Sequence, residues 1–360
     1  MKKILILMML LIFVIPLKIK ALENATSVIV MDQDSHRILY SKNIHKARSV
    51  ASISKIMTAI IAIESNKLPD IVTVGTEIKD AYGSGIYIKE NEKISLEDLV
   101  YGLMLRSGND AALAIANYVG GSVDSFVDMM NEKAIFIGMK NTTFNNPSGL
   151  DEKKGNYSTT YDMALLTSYA MKNETYRKIT STKKHKVKTN MNYYSWTNKN
   201  KLLFSYKYTT GGKTGYTEIA KRTLVTTASK NNLNLVIVTL NDGNDFNDHT
   251  NLYEEMFEDY NGYRILKKGT INIDMETYYP KNSLYIKNNF SYPLSENEKD
   301  TVVLEFKIHK KRQYRDGDVV GAVVIRVGDK QIFEDDVYVK FKKKKINIFD
   351  LLIKWLTNDK

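Results

Sequence analysis

A hydroxyl and an amine three residues apart are the groups from which chemistry can first be argued. Ser52-Ile53-Ser54-Lys55 sits where an extended segment turns into Ile56-Met57-Thr58-Ala59-Ile60-Ile61-Ala62-Ile63. That run is apolar, lacks Gly and Pro, and has the length and composition of a buried helix. A serine at a helix start has its hydroxyl beside unpaired backbone N–H groups. Lys55, nearly one turn on, returns to the same face. An amine held against a hydroxyl in packed surroundings can lose its proton and act as a base for a serine nucleophile. The spacing alone is a weak signal. Ser181-Thr182-Lys183-Lys184 repeats it, and a Ser N-cap followed by a surface Lys satisfies it without chemistry.

Two further patterns add weight. Ser107-Gly108-Asn109 falls in a break between two helical stretches, where side chains can project into a cleft. As a bare Ser-x-Asn it recurs at Ser41, Ser229 and Ser295. Lys213-Thr214-Gly215 occurs once, after Gly211-Gly212 and on a predicted strand, where Gly lets a substrate backbone lie close. Taken singly, Ser107 fits a helix-break turn and Gly215 a hairpin glycine.

The elements that must position these residues follow from periodicity and turn chemistry. Ser27–Met31 and Arg37–Ser41 flank the turn-rich Asp32-Gln33-Asp34-Ser35 and predict a hairpin. Leu68-Pro69 closes the helix led by Ser52. Ser95-Leu96-Glu97-Asp98 opens a helix through Leu105, Asp110–Val119 continues beyond the break, and Ser122–Ile137 runs to Gly138. Asn145-Asn146-Pro147-Ser148-Gly149 is a turn cluster, and Thr160–Met171 is helical. Gly212–Thr217, Thr223–Ser229 and Leu233–Leu240 are β-rich, the last two joined at Lys230-Asn231-Asn232. His249–Ile265 returns to helical spacing, with Leu252, Met256, Tyr260 and Tyr263 as its apolar stripe. Hairpins near both ends with helices between imply an α+β domain whose sheet joins distant segments.

Lys267-Lys268-Gly269 marks a boundary. Beyond it only strand-like runs occur: Ser283–Ile286, Thr301–Ile308, Val319–Val327 and Gln331–Val339, a small all-β module without a catalytic grouping. The basic run Lys340–Lys345 leads into Ile346–Leu356, where Phe349, Leu352, Ile353 and Leu356 share a face and Trp355 sits near the end. This suits a helix lying in an anionic membrane surface, which the basic run favours over a terminal helix docked on the protein's own body. At the other end, Met1-Lys2-Lys3, the apolar Ile4–Leu17 and the small Ala21 read as a secretory signal, short for a membrane span, with an uncleaved anchor as the alternative.

Composition excludes several classes. Of the formal charge of +11, four belong to Lys2, Lys3, Lys18 and Lys20, leaving +7, and much of the remainder lies in the tail. No nucleic-acid groove is implied. Cysteine is absent, so there is no disulfide, thiolate metal site or thiol nucleophile, and the five His lack ligand spacing. No metal or cofactor is expected.

The three patterns in this order, on helix start, interhelical loop and strand, form a set known from penicillin-binding proteins and class A β-lactamases. The chain resembles the low-molecular-mass penicillin-binding proteins of the D-alanyl-D-alanine carboxypeptidase (S11 peptidase) family. The resemblance rests on Ala51–Thr58, Leu105–Ala112 and Gly212–Thr217, with Asn146–Leu150, Tyr157–Ala164 and Asn198–Leu203 also matching. It implies a penicillin-binding/β-lactamase-like transpeptidase domain of α+β class, followed by a small all-β domain and a C-terminal amphipathic helix. The corresponding segments are a signal peptide at 1–21, a catalytic domain at 22–266, the β domain at 267–340 and the basic helix at 341–360.

The resemblance further implies Ser52 as nucleophile, Lys55 as its base, Ser107 as proton donor to the leaving group and Asn109 as an orienting residue. Lys213 and Thr214 would hold the substrate carboxylate, with Gly215 beside it and the backbone of Tyr216 completing an oxyanion hole with that of Ser52. The implied partners are peptidoglycan stem peptides ending in D-Ala-D-Ala and β-lactams, met on the extracytoplasmic face of a bacterial membrane. A DD-endopeptidase, a β-lactamase and an inactive wall-binding relative share this fold; a convincing Glu-based deacylation motif is missing. Two departures stand out. Ala220 is followed by Lys221 where the family has Ala-Gly, and a family arginine near the start of the last catalytic-domain helix finds no match in Asp245–His249. His249, Lys221 and Arg222 are the nearby cationic candidates to replace it.

Overall fold

A computed structural model describes residues 24–151, 154–274, 278–310 and 313–340, in two compact units divided between Asp259 and Tyr260. The expected signal segment and the expected C-terminal amphipathic helix lie outside these residues. Among the described residues no helix is long and apolar enough to cross a membrane.

The first unit is built on a five-stranded antiparallel sheet. Its strands are β1 (Ser27–Asp32), β2 (Ile38–Lys42), β3 (Thr209–Thr217), β4 (Lys221–Lys230) and β5 (Leu233–Leu240), in the order β2-β1-β5-β4-β3. β1 pairs with β5 from Ser27↔Leu240 to Asp32↔Leu235, so the sheet closes over some two hundred residues of intervening chain. The β4–β5 hairpin turns through Asn231 and Asn232, both at positive φ as a tight two-residue turn requires.

Helices cover both faces of this sheet. On one side lie α1 (Lys55–Glu64), α2 (Leu96–Arg106), α3 (Asn109–Gly120) and α4 (Thr160–Ala170), with Val225, Val236 and Val238 of the sheet in the same apolar core. α1 is buried from Lys55 to Ile63, and each of its large apolar side chains contributes about 1.5–3 kcal/mol of transfer free energy. On the other side α5 (Asp245–Asp259) packs on β4 and β5. There His249 bonds Thr226 (2.7 Å) and Thr239 (3.1 Å), and Tyr253 bonds Thr226 (2.8 Å).

Strand alternation then sorts the candidate site residues. Lys213 and Gly215 face the α1 side, whereas Thr214 and Tyr216 face the α5 side. Lys213 is paired with Val225, Gly215 with Thr223, and Tyr216 with Arg222.

The second unit has a five-stranded antiparallel sheet, in the order Gly269–Thr270, Leu284–Ile286, Lys330–Val339, Val319–Val327 and Val302–Ile308. A two-stranded sheet pairs Asn261–Leu266 with Phe290–Leu294. Its core holds Leu284, Ile286, Val320, Val323, Ile325, Val337 and Val339.

Two expectations need correction. The last helix of the first unit ends at Asp259, not Ile265, and Asn261–Leu266 is a strand. Leu252 and Met256 are buried as expected, but Tyr263 and Ile265 follow a period of two and pack into the second core. Also, one helical turn, Glu296–Lys299, interrupts the β module, set by the capping box between Ser295 and Glu298. Sequence patterning also passes over the hairpin Lys184–Lys188 with Tyr193–Thr197, whose signal is the buried alternation of Val187 and Trp196.

Candidate active site

Ser52 lies in a 3-10 turn, Ala51–Ser54, that runs directly into α1. Ala51 holds a left-handed φ of 50°, a strained conformation for a residue with a Cβ and one that clusters at functional sites. No side chain caps the helix start, so the Ser52 hydroxyl is not spent as an N-cap. It lies 2.9 Å from Lys55 Nζ and 3.4 Å from the carbonyl of Ser148.

Lys55 is fully buried, and its partners are all neutral acceptors. Nζ contacts Asn109 Oδ1 at 2.7 Å and the Ser148 carbonyl at close range, besides Ser52 Oγ. Burial foremost, then the positive charges of Lys213 and Lys199, hold this amine well below the usual lysine range. A neutral amine has two N–H groups and one lone pair. Donating to Asn109 and Ser148 leaves the lone pair for the Ser52 proton.

The Ser148 carbonyl is fixed by the turn cluster. Asn146 Oδ1 accepts the backbone N–H groups of Ser148 (3.1 Å), Gly149 (2.6 Å) and Leu150 (3.2 Å), while Thr58 donates to the Pro147 carbonyl (2.7 Å). Gly149, at φ +82°, passes so near Ala51 that a Cβ there would sit 2.1 Å from the Ala51 carbonyl oxygen. Only glycine permits this approach.

The second pattern occupies the joint between α2 and α3. Ser107 caps α2 in the left-handed region (φ 64°) and is almost buried. Asn109 opens α3 and donates through Nδ2 to the Tyr82 carbonyl at 2.5 Å. Next to it, the Asp110 carboxylate accepts the N–H groups of Ile86, Tyr87 and Ile88, tying the preceding loop to the joint.

The third pattern lies on edge strand β3. A Cβ on Gly215 would fall 3.0 Å from the backbone nitrogen of Ser52 and 2.4 Å from Thr223 Oγ1, so glycine brings this strand against the turn that carries Ser52. Lys213 is buried beneath the strand and donates to the Thr214 carbonyl at 2.8 Å. Burial, with the Lys199 charge second, pushes it down to about 7.

Ser52, Ser107, Thr214, Gly215 and Tyr216 line one cleft of about 300 Å³. The three patterns are therefore brought to one place, with Lys55, Asn109 and Lys213 behind its wall. Lys199, Lys201 and Arg222 also line it; none has a role in the three motifs. Lys199 belongs to the family-like stretch Asn198–Leu203, and its amine lies 3.2 Å from Ser84 Oγ.

The three cationic candidates separate cleanly. His249 is fully buried between Thr226 and Thr239, away from the cleft, and burial pushes its imidazole down to about 3. Lys221 pairs with Glu218 at the surface. Arg222 alone of the three lines the cleft.

A serine hydroxyl bonded to a buried, deprotonation-prone lysine, with a strand edge and backbone donors alongside, defines the Ser–Lys class of acyl-transfer site. The chain belongs to the S11 peptidase family, D-alanyl-D-alanine carboxypeptidase, whose sequence model matches residues 18–244. The C-terminal domain of penicillin-binding protein 5 matches residues 260–345. Among curated relatives, D-alanyl-D-alanine carboxypeptidase DacF of Bacillus subtilis is 35% identical over 221 residues, 60% of this chain; the match spans only 57% of DacF. DacA of Haemophilus influenzae is 29% identical over 358 residues, covering 92% of this chain and 88% of that protein. The solved structure of penicillin-binding protein 5 from Haemophilus influenzae superposes with a TM-score of 0.75 at 27% identity, covering 88% of this chain and 96% of that one.

Proposed function

We propose that the protein is a serine D-Ala-D-Ala carboxypeptidase that removes the terminal D-Ala from peptidoglycan stem peptides. The observation that carries this reading is the buried Lys55 amine 2.9 Å from Ser52 Oγ, with uncharged partners only. Ser52 Oγ attacks the penultimate D-Ala carbonyl while neutral Lys55 takes its proton, and Asn109 keeps the amine aimed. The backbone N–H groups of Ser52 and Tyr216 receive the developing oxyanion, each donor of this kind being worth about 3–4 kcal/mol. Ser107 relays the proton that Lys55 took from Ser52 to the leaving amine as the C–N bond breaks, which returns Lys55 to its neutral form. Thr214 offers its hydroxyl to the terminal carboxylate, Lys213 adds positive charge from behind the strand in its protonated form, and Gly215 keeps the strand close. Water then cleaves the acyl-enzyme, regenerating Ser52. β-Lactams enter by the same route and leave Ser52 acylated for longer.

The test is D-Ala release from a purified pentapeptide-bearing muropeptide. Release of one D-Ala per stem is expected; an unchanged muropeptide with an intact, folded enzyme would overturn the reading. Export is supported by the basic and apolar start of the chain, and attachment to an anionic membrane surface by the basic, amphipathic pattern of 341–360. Deleting 346–360 should move the protein from membrane pellet to supernatant while leaving activity on a soluble peptide. A truncated form that still pellets would sink the attachment.

A further inference from the structure

A carboxypeptidase must recognise the free carboxylate at the end of its substrate, and the position of that anion in this cleft follows from its charged groups. This inference rests on the reading just given. Lys213 is 1% exposed and its ammonium is bonded to a backbone carbonyl, so it contributes field more than contact. Lys199 is drawn to Ser84, and Lys201 reaches over the Phe246 ring, 5.9 Å from its centre. Arg222 is different: its side chain is 44% exposed and lines the cleft with Thr214 and Tyr216.

The sheet register puts Arg222 directly across from Tyr216 and diagonal to Thr214, on the same face. Diagonal neighbours of this kind lie within reach of a long side chain. The guanidinium is also held in place. Nη2 donates to the buried Asp245 Oδ1 at 2.6 Å, and the Phe246 ring packs against it with 5.6 Å between the ring centre and Cζ. Its Nε is buried with no hydrogen-bond partner among the described residues. A planar fork fixed along one edge, with donors left over, is suited to a carboxylate in a way that a flexible ammonium is not.

We propose that Arg222, presented by Asp245 and Phe246, is the specificity-determining clasp for the substrate's terminal carboxylate, acting with the Thr214 hydroxyl. The clasp selects substrates with a free C-terminal D-Ala over stems whose corresponding carboxyl is blocked by an amide link. It makes the enzyme an exopeptidase by charge and not by the shape of the cleft.

The full-length protein is assayed on an acylated L-Lys-D-Ala-D-Ala tripeptide as free acid and as its C-terminal carboxamide. The wild type should favour the acid. In Arg222→Gln the acid-to-amide ratio of kcat/KM should fall by about 10- to 100-fold, the loss of hydrogen bonds to a charged group, and chiefly through KM for the acid. Arg222→Lys should fall less, and it serves if the Gln variant does not fold. Asp245→Asn should lie between them. Lys221→Gln, next along the strand but paired to Glu218 outside the cleft, should keep the wild-type ratio. An unchanged ratio in Arg222→Gln overturns the clasp. If the wild type releases neither D-Ala from the acid nor D-alaninamide from the amide, the carboxypeptidase reading is overturned instead, and the clasp with it.

Discussion

Ser52–Lys55 and Ser181–Lys184 share a spacing, and the protein uses them in opposite ways. Ser181 ends a helix, Glu174–Ser181, and its hydroxyl donates back to the Arg177 carbonyl at 2.8 Å. Thr182 is already extended (φ −68°, ψ 123°), so no helical turn carries Lys184 back; Lys184 opens a strand and faces solvent. Ser52 begins its helix, and the turn that follows brings Lys55 to 2.9 Å. The apolar run after Lys55 then buries the amine, and burial is the largest cause of its depressed basicity. The comparison teaches that the spacing supplies proximity only when a helix follows, and that the amine's lowered basicity comes from the desolvation which that helix imposes.

The most severe test of the contrast is to truncate each serine. Ser52→Ala should abolish labelling by a fluorescent penicillin, while Ser181→Ala should label at the wild-type level. Labelled Ser52→Ala would mean the nucleophile lies elsewhere. Next come the lysines. Lys55→Ala should slow acylation by about 10²–10⁴-fold, the usual worth of a positioned base, with Lys184→Ala unaffected in the same stopped-flow measurement. Lys55→Arg should be as slow as the Ala variant, since a guanidinium does not deprotonate. A smaller effect, about tenfold, is expected of Asn109→Ala, which removes one of the acceptors that orient the amine.

The smallest effect concerns stability. The folded Lys213 titrates at about 7 and a free lysine at 10.5, so between those values the unfolded chain holds a proton that the folded chain has released. Across that window this group makes stability rise with pH, by up to about 1.4 kcal/mol per unit. Below about 7 both states are protonated and the dependence vanishes. Urea midpoints of Lys213→Met should therefore rise less steeply than those of the wild type between pH 7 and 9. Parallel curves would show that Lys213 keeps its proton when folded.

Much of the site was legible because its chemistry is local. The helix after Ser52, the break at Ser107 and the unique Lys213-Thr214-Gly215 each follow from residue type and short-range pattern. Their meaning as a set came from order along the chain and not from any one of them. The partners that finish the site carried weaker signals. Asn146 reads as a turn residue within a matching stretch, and only the fold shows its carboxamide fixing the turn that sets the Ser148 carbonyl against Lys55. Asp245 reads as a helix-start acid until Arg222 meets it.

Sequence by itself determined the alternation of helices and strands, the separate β module and the three motifs, since these depend on periodicity and turn chemistry over a few residues. It misjudged the end of the last helix, where apolar spacings of three and two overlap at Tyr260–Ile265 and only the partner strand Phe290–Leu294 decides. Tertiary structure alone decided which cation faces the cleft. His249, Lys221 and Arg222 are near neighbours or near equals by composition, but burial, an exposed ion pair and strand register send them to three different environments. Such choices depend on contacts between β3, β4 and α5, which no local pattern encodes.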